Sequence, residues 1–323
     1  MITFGPIPSR RLKRSLGINN LVPKYCTYAC IYCQAGQTSP GTTTPVKFYS
    51  PERIQREVEE GIRTVEGAGE TINYLTFVAD GEPTLDMNLG RSIRLLKPFR
   101  IPVAVITNGS LLWRPGVRES LQSADWVSIK VDAVTEETWR SINRPHESLN
   151  LAKILNGIED FSSGYNGEMT TETMLVQGIN DSLRSIKVIA EFIENLDPDK
   201  AYLAAPTRPP AEPWVKPPDY NSLNRAYQVM TEHHLDVEYL IGYEGTDFFP
   251  LGSAEASLLS IAAVHPLRRD ALEEYVSKTA IGWDAVENLL RNGRIKEVSY
   301  GDHTFYLRGG PNVWNNDLYS GSE

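Results

Sequence analysis

Residues 25–38 read YCTYACIYCQAGQT and hold every cysteine of the chain, Cys26, Cys30 and Cys33, in a C-x3-C-x2-C spacing. Three thiols this close, with none elsewhere, cannot pair off as a closed set of disulfides. Soft thiolates gathered so tightly suit an iron–sulfur cluster or zinc. A structural site normally takes four protein ligands, whereas a reactive site leaves one position open. Three cysteines on a four-iron cube leave one iron free for an outside ligand. The zinc alternative needs a distant fourth ligand such as His146, and the chain has no second ligand pair to complete the usual zinc pattern.

The spacing, with Tyr32 just before the last cysteine, resembles the signature of the radical S-adenosylmethionine (SAM) superfamily. The resemblance implies a 4Fe-4S cluster on Cys26, Cys30 and Cys33 whose open iron chelates the amino and carboxylate groups of SAM. It also implies reductive cleavage of SAM to methionine and a 5′-deoxyadenosyl radical, which abstracts hydrogen from a substrate. An external one-electron donor of the flavodoxin or ferredoxin kind follows from the same resemblance.

A chain of 323 residues suggests one large domain and a small one. At 41% apolar and 23% charged residues it has the composition of a soluble protein. Its net charge of −9 disfavours broad attraction to nucleic acid or an anionic membrane. No apolar run reaches membrane length, and residues 1–8 lack a basic-then-apolar leader. Thiolates that must stay reduced place the chain in the cytoplasm. Without a fourth cysteine there is neither a second cysteine-ligated cluster nor a thiyl radical outside the first.

Strands and helices alternate along the chain. The stretches at 16–22, 72–79, 101–106, 126–131, 169–176 and 201–205 read as six strands, the second near-continuously apolar. Helical periodicity at 51–65, 87–96, 115–121, 136–161 and 183–196 supplies the crossovers, with Ser50 and Pro51 opening the first. Buried parallel strands read as continuous apolar runs, and this alternation demands right-handed crossovers. The fold class is α/β, an incomplete (β/α)6 parallel barrel resembling the core of radical SAM enzymes. Asp219 N-caps a further helix through 231, and 236–242 is one more short strand.

Reactive groups in parallel barrels sit at the C-terminal strand ends. After the second strand, Asp80-Gly81-Glu82-Pro83 resembles the family's Gly-Gly-Glu-type motif, whose backbone groups hold the SAM amine. Asp80 stands where the family has its first glycine. After the third strand, Thr107-Asn108-Gly109 resembles the segment near the methionine part or ribose of SAM. On the fourth strand Ser128, Lys130 and Asp132 share a face. A buried lysine needs an anion, so Lys130 is expected to meet the SAM carboxylate; Asp132 could simply cap the following helix. Tyr32, Gly81, Glu82, Pro83, Thr107, Asn108 and Lys130 are therefore the expected SAM contacts. Glu172 and Arg208, from the fifth strand and the loop after the sixth, are the catalytic candidates toward substrate, or else a salt bridge to each other. The basic run Arg10, Arg11, Lys13 and Arg14 reads as a solvated segment, or as a clamp for a substrate carboxylate or phosphate.

The expected boundaries are a barrel over 1–242, a linker over 243–252, a winged-helix-like domain over 253–308 and a flexible tail over 309–323. The third part shows three short amphipathic helices and a hairpin turned at Gly301-Asp302. Winged helices often enter a nucleic-acid groove. This one carries seven Lys or Arg against eight Asp or Glu, a poor footprint for DNA. Docking of a protein or peptide, or packing as a lid on the barrel mouth, fits it at least as well; a tRNA-modifying enzyme that docks RNA here is the alternative. Within the superfamily the chain most resembles small iron–sulfur oxidoreductases similar to wyosine-base synthases, which act on tRNA. A cluster-dependent nucleic-acid-binding regulator without catalysis is the reading from another class.

Overall fold

The computed structural model describes residues 2–38, 41–279 and 281–309. It begins with a hairpin, β1 (Thr3–Ser9) antiparallel to β2 (Lys13–Ile18). From β2 onward every strand is parallel to the last: β3 (Tyr74–Phe77), β4 (Val103–Thr107), β5 (Trp126–Lys130), β6 (Glu168–Met174), β7 (Lys200–Ala204) and β8 (Val237–Leu240). The eight strands stand in chain order in one sheet, an open partial barrel of the α/β class.

The helices between them are α1 (Pro51–Gly67), α2 (Leu89–Leu96), α3 (Pro115–Leu121), α4 (Glu136–Asn143), α5 (Leu151–Gly164), α6 (Leu183–Leu196) and α7 (Tyr220–Glu232). Their starts have local causes. Ser50 accepts the Arg53 amide at 3.2 Å with Pro51 in the first turn. Asn150 and Asp219 cap α5 and α7 in the same way, at 3.0 and 2.7 Å. One sheet face buries Leu75, Phe77, Val105, Val127 and Ile129 beneath the helices. Each such side chain contributes roughly 1.5–3 kcal/mol. Ala104, Trp126, Tyr202, Ala204 and Leu240 form a separate small core with Leu12 of the hairpin turn.

Two expectations about the first strand need correction. The first parallel strand is Lys13–Ile18, not 16–22, and it is preceded by an antiparallel partner that local sequence does not announce. Asn20, wholly buried, ends it early: its amide reaches Pro83 O and Asp86 Oδ2, both at 3.2 Å, and turns the chain away from the sheet. The basic run is not a solvated segment either. Arg14 pairs with Glu70 at 3.0 Å and with Asp247, while Arg10 and Arg11 face the barrel mouth. Arg10 Nη1 donates to the carbonyls of Leu240 and Gly242, so a side chain ties the two open ends of the sheet.

Beyond the barrel lie α8 (Ala254–Val264), β9 (Leu267–Arg268), α9 (Arg269–Lys278), α10 (Trp283–Arg291), β10 (Ile295–Tyr300) and β11 (His303–Arg308). The strands form a small antiparallel sheet in the order β10-β11-β9. This module shares its core with Phe4 of β1 and with Phe248, which is 2% exposed. Residues 243–252 are therefore not a bare linker, because Phe248 and Glu244 are built into the packing and Phe249 N bonds Pro6 O at 3.0 Å. The expected tail beyond residue 309 lies outside the described residues. Among the described residues no helix is long and apolar enough to cross a membrane.

Candidate active site

The C-terminal strand ends surround a cavity of about 300 Å³. Of the residues singled out from sequence, Cys26, Cys30, Cys33 and Tyr32 line it on the loop after β2. Gly81, Glu82, Thr107 and Asn108 line it after β3 and β4, and Lys130, Glu172 and Arg208 line it farther along the sheet. Pro83 does not. It opens a short 3-10 turn behind the wall, where its carbonyl accepts from Asn20.

The cysteine loop is docked from two sides by its own backbone. Toward β3, Lys24 N donates to Asp80 O at 2.7 Å and Glu82 N to Tyr25 O at 2.9 Å. Toward α4, Ala29 N donates to Asn143 O and Ile31 N to Ile142 O, both at 3.0 Å. A Cβ on Gly81 would stand 2.0 Å from Tyr25 O, so only glycine lets the two backbones meet. His146, the distant zinc ligand considered above, turns its ring to Ser148 Oγ at 2.9 Å and is not on the cavity wall.

Glu82 joins the strand ends. Its carboxylate accepts from Thr107 Oγ1 at 2.5 Å, Asn108 N at 2.7 Å, and both the amide and hydroxyl of Thr84 at 3.1 and 2.6 Å. Burial pushes its pKa up, against the pull of those donors. Asn108 carries the link onward, donating to Thr27 Oγ1 at 2.9 Å with Cys26 Sγ at 3.7 Å. The two motifs thus form one hydrogen-bonded unit around the cysteine loop.

The thiols test whether the site fits a cluster. Burial raises all three pKa values, that of Cys30 to about 12, and the neighbouring Asp132 charge adds to the rise there. A bound metal deprotonates a coordinating thiol outright, which overrides this rise. Among the described residues no three His, Cys, Asp or Glu side chains converge as a single-ion site. A cube asks for no such convergence, since each thiolate takes a different iron. The donor set fits.

The opposite wall is built on ion pairs. Lys130 and Glu172 are Cα partners across β5 and β6, and Lys130 Nζ donates to Glu172 Oε1 at 2.8 Å. Arg11 takes the other oxygen of Glu172. Burial alone would raise Glu172; Arg11 and Lys130 outweigh it and hold the carboxyl well below its usual range. Burial alone would lower Lys130, but Glu172 and Asp132 raise it. The anion beside Lys130 here is thus Glu172, and Lys130 also lies over the Tyr32 ring at 5.0 Å. Glu172 and Arg208 do not pair with each other, because Arg208 sits beyond β7 and reaches Glu244 at 2.5 Å and Gln34 Oε1 at 2.6 Å.

Four residues around the cavity were not among the expected site residues: Asp132, noted only for sharing a face with Lys130, and Gln34, Lys24 and Arg308. Asp132 caps no helix. It is 3% exposed and accepts from Tyr32 OH, from Asn143 Nδ2 and from Met174 N, the latter two at 2.8 Å. Gln34, one residue after Cys33, donates to Val264 O at 2.9 Å and so seats α8 on the cysteine loop. Arg308 and Lys24 hold Asp80 at 3.1 and 3.2 Å, which gives the side chain in the family's glycine position a partner from the C-terminal module. Adjacency to Cys33 was the only local hint for Gln34; the others depend on tertiary proximity.

His265, at the end of α8, donates its Nε2–H to the Glu244 carboxylate at 2.8 Å. Burial, then the Arg208 charge, lowers its pKa to about 4. The unfolded chain binds that proton at about 6.5. Between the two values the unfolded state holds more protons, so a cost to folding, absent above pH 6.5, grows as pH falls toward 4. His265→Gln is expected to lose less stability than the parent between pH 7 and pH 5, by on the order of 1–2 kcal/mol. Asp86, raised to about 6 by burial, acts oppositely but equally in both proteins. Chemical denaturation of the two at each pH measures the difference.

Residues 21–193 match the sequence family described as the radical SAM superfamily. A UPF0026 protein of Methanocaldococcus jannaschii is 43% identical over 95% of this chain and 96% of its own length. A UPF0026 protein of Helicobacter pylori strain J99 is 35% identical over 64% of this chain and 67% of its own. Among solved structures, a radical SAM methyltransferase from Sphaerobacter thermophilus superposes with a TM-score of 0.53, at 17% identity, over 72% of this chain and 69% of that one. That likeness is one of fold. The chain belongs to the radical SAM superfamily, within its UPF0026 proteins, and is an enzyme of the kind that uses a 4Fe-4S cluster and SAM.

Proposed function

We propose that this protein cleaves SAM reductively and uses the resulting 5′-deoxyadenosyl radical to abstract hydrogen from a substrate bound in the same cavity. The observation that carries the reading is the hydrogen-bonded unit of Cys26, Thr27, Asn108, Thr107 and Glu82, with Gly81 against the Tyr25 backbone, beside the wall that also holds Cys30 and Cys33. When bound, the cluster supplies the electron, delivered by an external flavodoxin- or ferredoxin-like donor. Cys26, Cys30 and Cys33 would hold it, and the backbone at Gly81 and Glu82 would receive the amino group of SAM. Asn108 and Thr107 position its methionine or ribose part, and Tyr32 is braced against Asp132 at its edge. Lys130 offers its ammonium to the SAM carboxylate, trading one contact with Glu172, which keeps Arg11. Glu172 and Arg208 face the substrate.

The C-terminal module acts in this reading as a roof, because Val264 and His265 line the cavity and Tyr300 OH bonds Pro206 O at 3.1 Å. Its even charge balance fits that role better than RNA docking, which remains the second reading through the winged-helix-like order of its elements.

Anaerobically reconstituted protein with dithionite should release 5′-deoxyadenosine and methionine from SAM. Lys130→Ala should keep its iron and bind SAM about ten- to a hundredfold more weakly, the cost of roughly 1.5–3 kcal/mol for a lost charge-assisted bond. Unchanged SAM affinity would make Lys130 a purely structural partner of Glu172.

A further inference from the structure

Four cations line the cavity: Arg10, Arg11, Lys130 and Arg208. Two carboxylates serve three of them. Glu172 is shared by Arg11 and Lys130, and Glu244 takes Arg208 at 2.5 Å. The other acids on the wall are occupied, Asp80 by Lys24 and Arg308, and Glu82 by Thr84, Thr107 and Asn108.

Arg10 is left over. Among the described residues no carboxylate lies within ion-pair distance of it; its Nη1 donates to the uncharged carbonyls of Leu240 and Gly242, and its Nε and Nη2 have no partner. Burial first, and then the like charge of Arg208, lower its pKa to about 10, although the more distant Glu244 and Glu172 carboxylates pull the other way. A guanidinium nonetheless stays charged, and a charge withdrawn from water is costly unless it meets its opposite. The fork of an arginine matches an oxyanion with two parallel hydrogen bonds.

We propose that the substrate carries a terminal oxyanion, phosphate or carboxylate, gripped by Arg10 with Arg208 beside it. The placement suits substrate rather than SAM. Arg10 bonds the carbonyl at the end of β8, the far edge strand, whereas the cysteine loop and the two motifs follow β2, β3 and β4 and Lys130 lies on β5. The inference rests on reading the cavity as the active site, and it narrows the substrate to anionic molecules.

The test uses reconstituted holoenzyme saturated with SAM, in low-salt buffer free of other oxyanions, with calorimetric titration of inorganic phosphate in one arm and succinate in the other. At least one anion should bind the parent, and equally well Arg63→Gln, whose arginine on α1 is 71% exposed. Arg10→Gln should weaken that binding tenfold or more. Binding of phosphate alone marks a phosphate ester as substrate; binding of succinate alone marks a carboxylic acid. Should Arg10→Gln not fold, Arg10→Lys keeps the charge without the fork and should bind several-fold more weakly. No binding in either arm, unchanged affinity in the Arg10 variants, or displacement of the anion by SAM would overturn the proposal. SAM cleavage measured on the same samples separates the two ideas. Anion binding without cleavage contradicts the proposed reaction, and cleavage without anion binding contradicts this site alone.

Discussion

Gly81→Ala should prevent assembly of the site while leaving the rest of the barrel folded. The added methyl would stand 2.0 Å from the Tyr25 carbonyl oxygen and 2.7 Å from its carbon. Both are backbone atoms, so no side chain can swing aside. The contact can be relieved only by moving residue 25, next to Cys26, or the strand end that carries Glu82. Either shift breaks the Glu82 N to Tyr25 O bond of 2.9 Å and misaligns the motifs. Displacements of about 1 Å at a reacting centre can cost a hundredfold in rate. The expected result is far-ultraviolet circular dichroism like that of the parent, iron below half of the parent's after reconstitution, and SAM cleavage reduced at least about a hundredfold. Normal iron and normal cleavage would show that the approach of these two backbones is not needed.

Glu172→Ala carries the second large effect. It leaves Lys130 and Arg11 facing each other with no shared anion, at side-chain exposures of only 16% each. Removing one member of a buried pair typically costs about 3–5 kcal/mol, because the stranded charge stays desolvated. Two stranded cations put this variant at the upper part of that range in urea unfolding at pH 7. The sign with pH is set by the depressed native pKa of Glu172. Its contribution is present above the unfolded carboxylate value of about 4.3 and fades as pH falls through the native one, so the gap between variant and parent should narrow below about pH 4. A loss under about 1 kcal/mol at pH 7 would mean the cations are held by something other than Glu172.

The parts of this molecule legible in sequence are those with a local period or a local spacing. Strands β3, β4 and β7 are short, mostly apolar runs, α1 and α6 repeat their buried residues at helical intervals, and the cysteine spacing lies within one loop; β6 (EMTTETM) is polar in sequence yet buried. Motifs at strand ends were legible because a parallel barrel sends all of its strand ends to one side. The hairpin β1–β2 was not, since its second strand begins with Lys13 and Arg14 and is identified only by its partners. Charge pairing was not legible either. Lys130 finds Glu172 through strand register, and Arg208 finds Glu244 through the fold of residues 243–252 over the barrel mouth. Asp80, which departs from the family pattern, makes sense only once Arg308 arrives 228 residues later. Residues 243–252, expected as a linker, hold one buried phenylalanine and one buried carboxylate that the acidic, aromatic composition did not single out.

The central claim is that three cysteines hold one cluster with an open iron that SAM can reach. Iron and acid-labile sulfide quantified on anaerobically reconstituted protein, together with electron paramagnetic resonance of the reduced form before and after SAM, measure this directly. The account predicts four irons and four sulfides per chain, to within about one of each, and a reduced-cluster spectrum that shifts on adding SAM and does so more weakly in Lys130→Ala. Bound zinc without iron, eight irons per chain, or a cluster spectrum indifferent to SAM would contradict it.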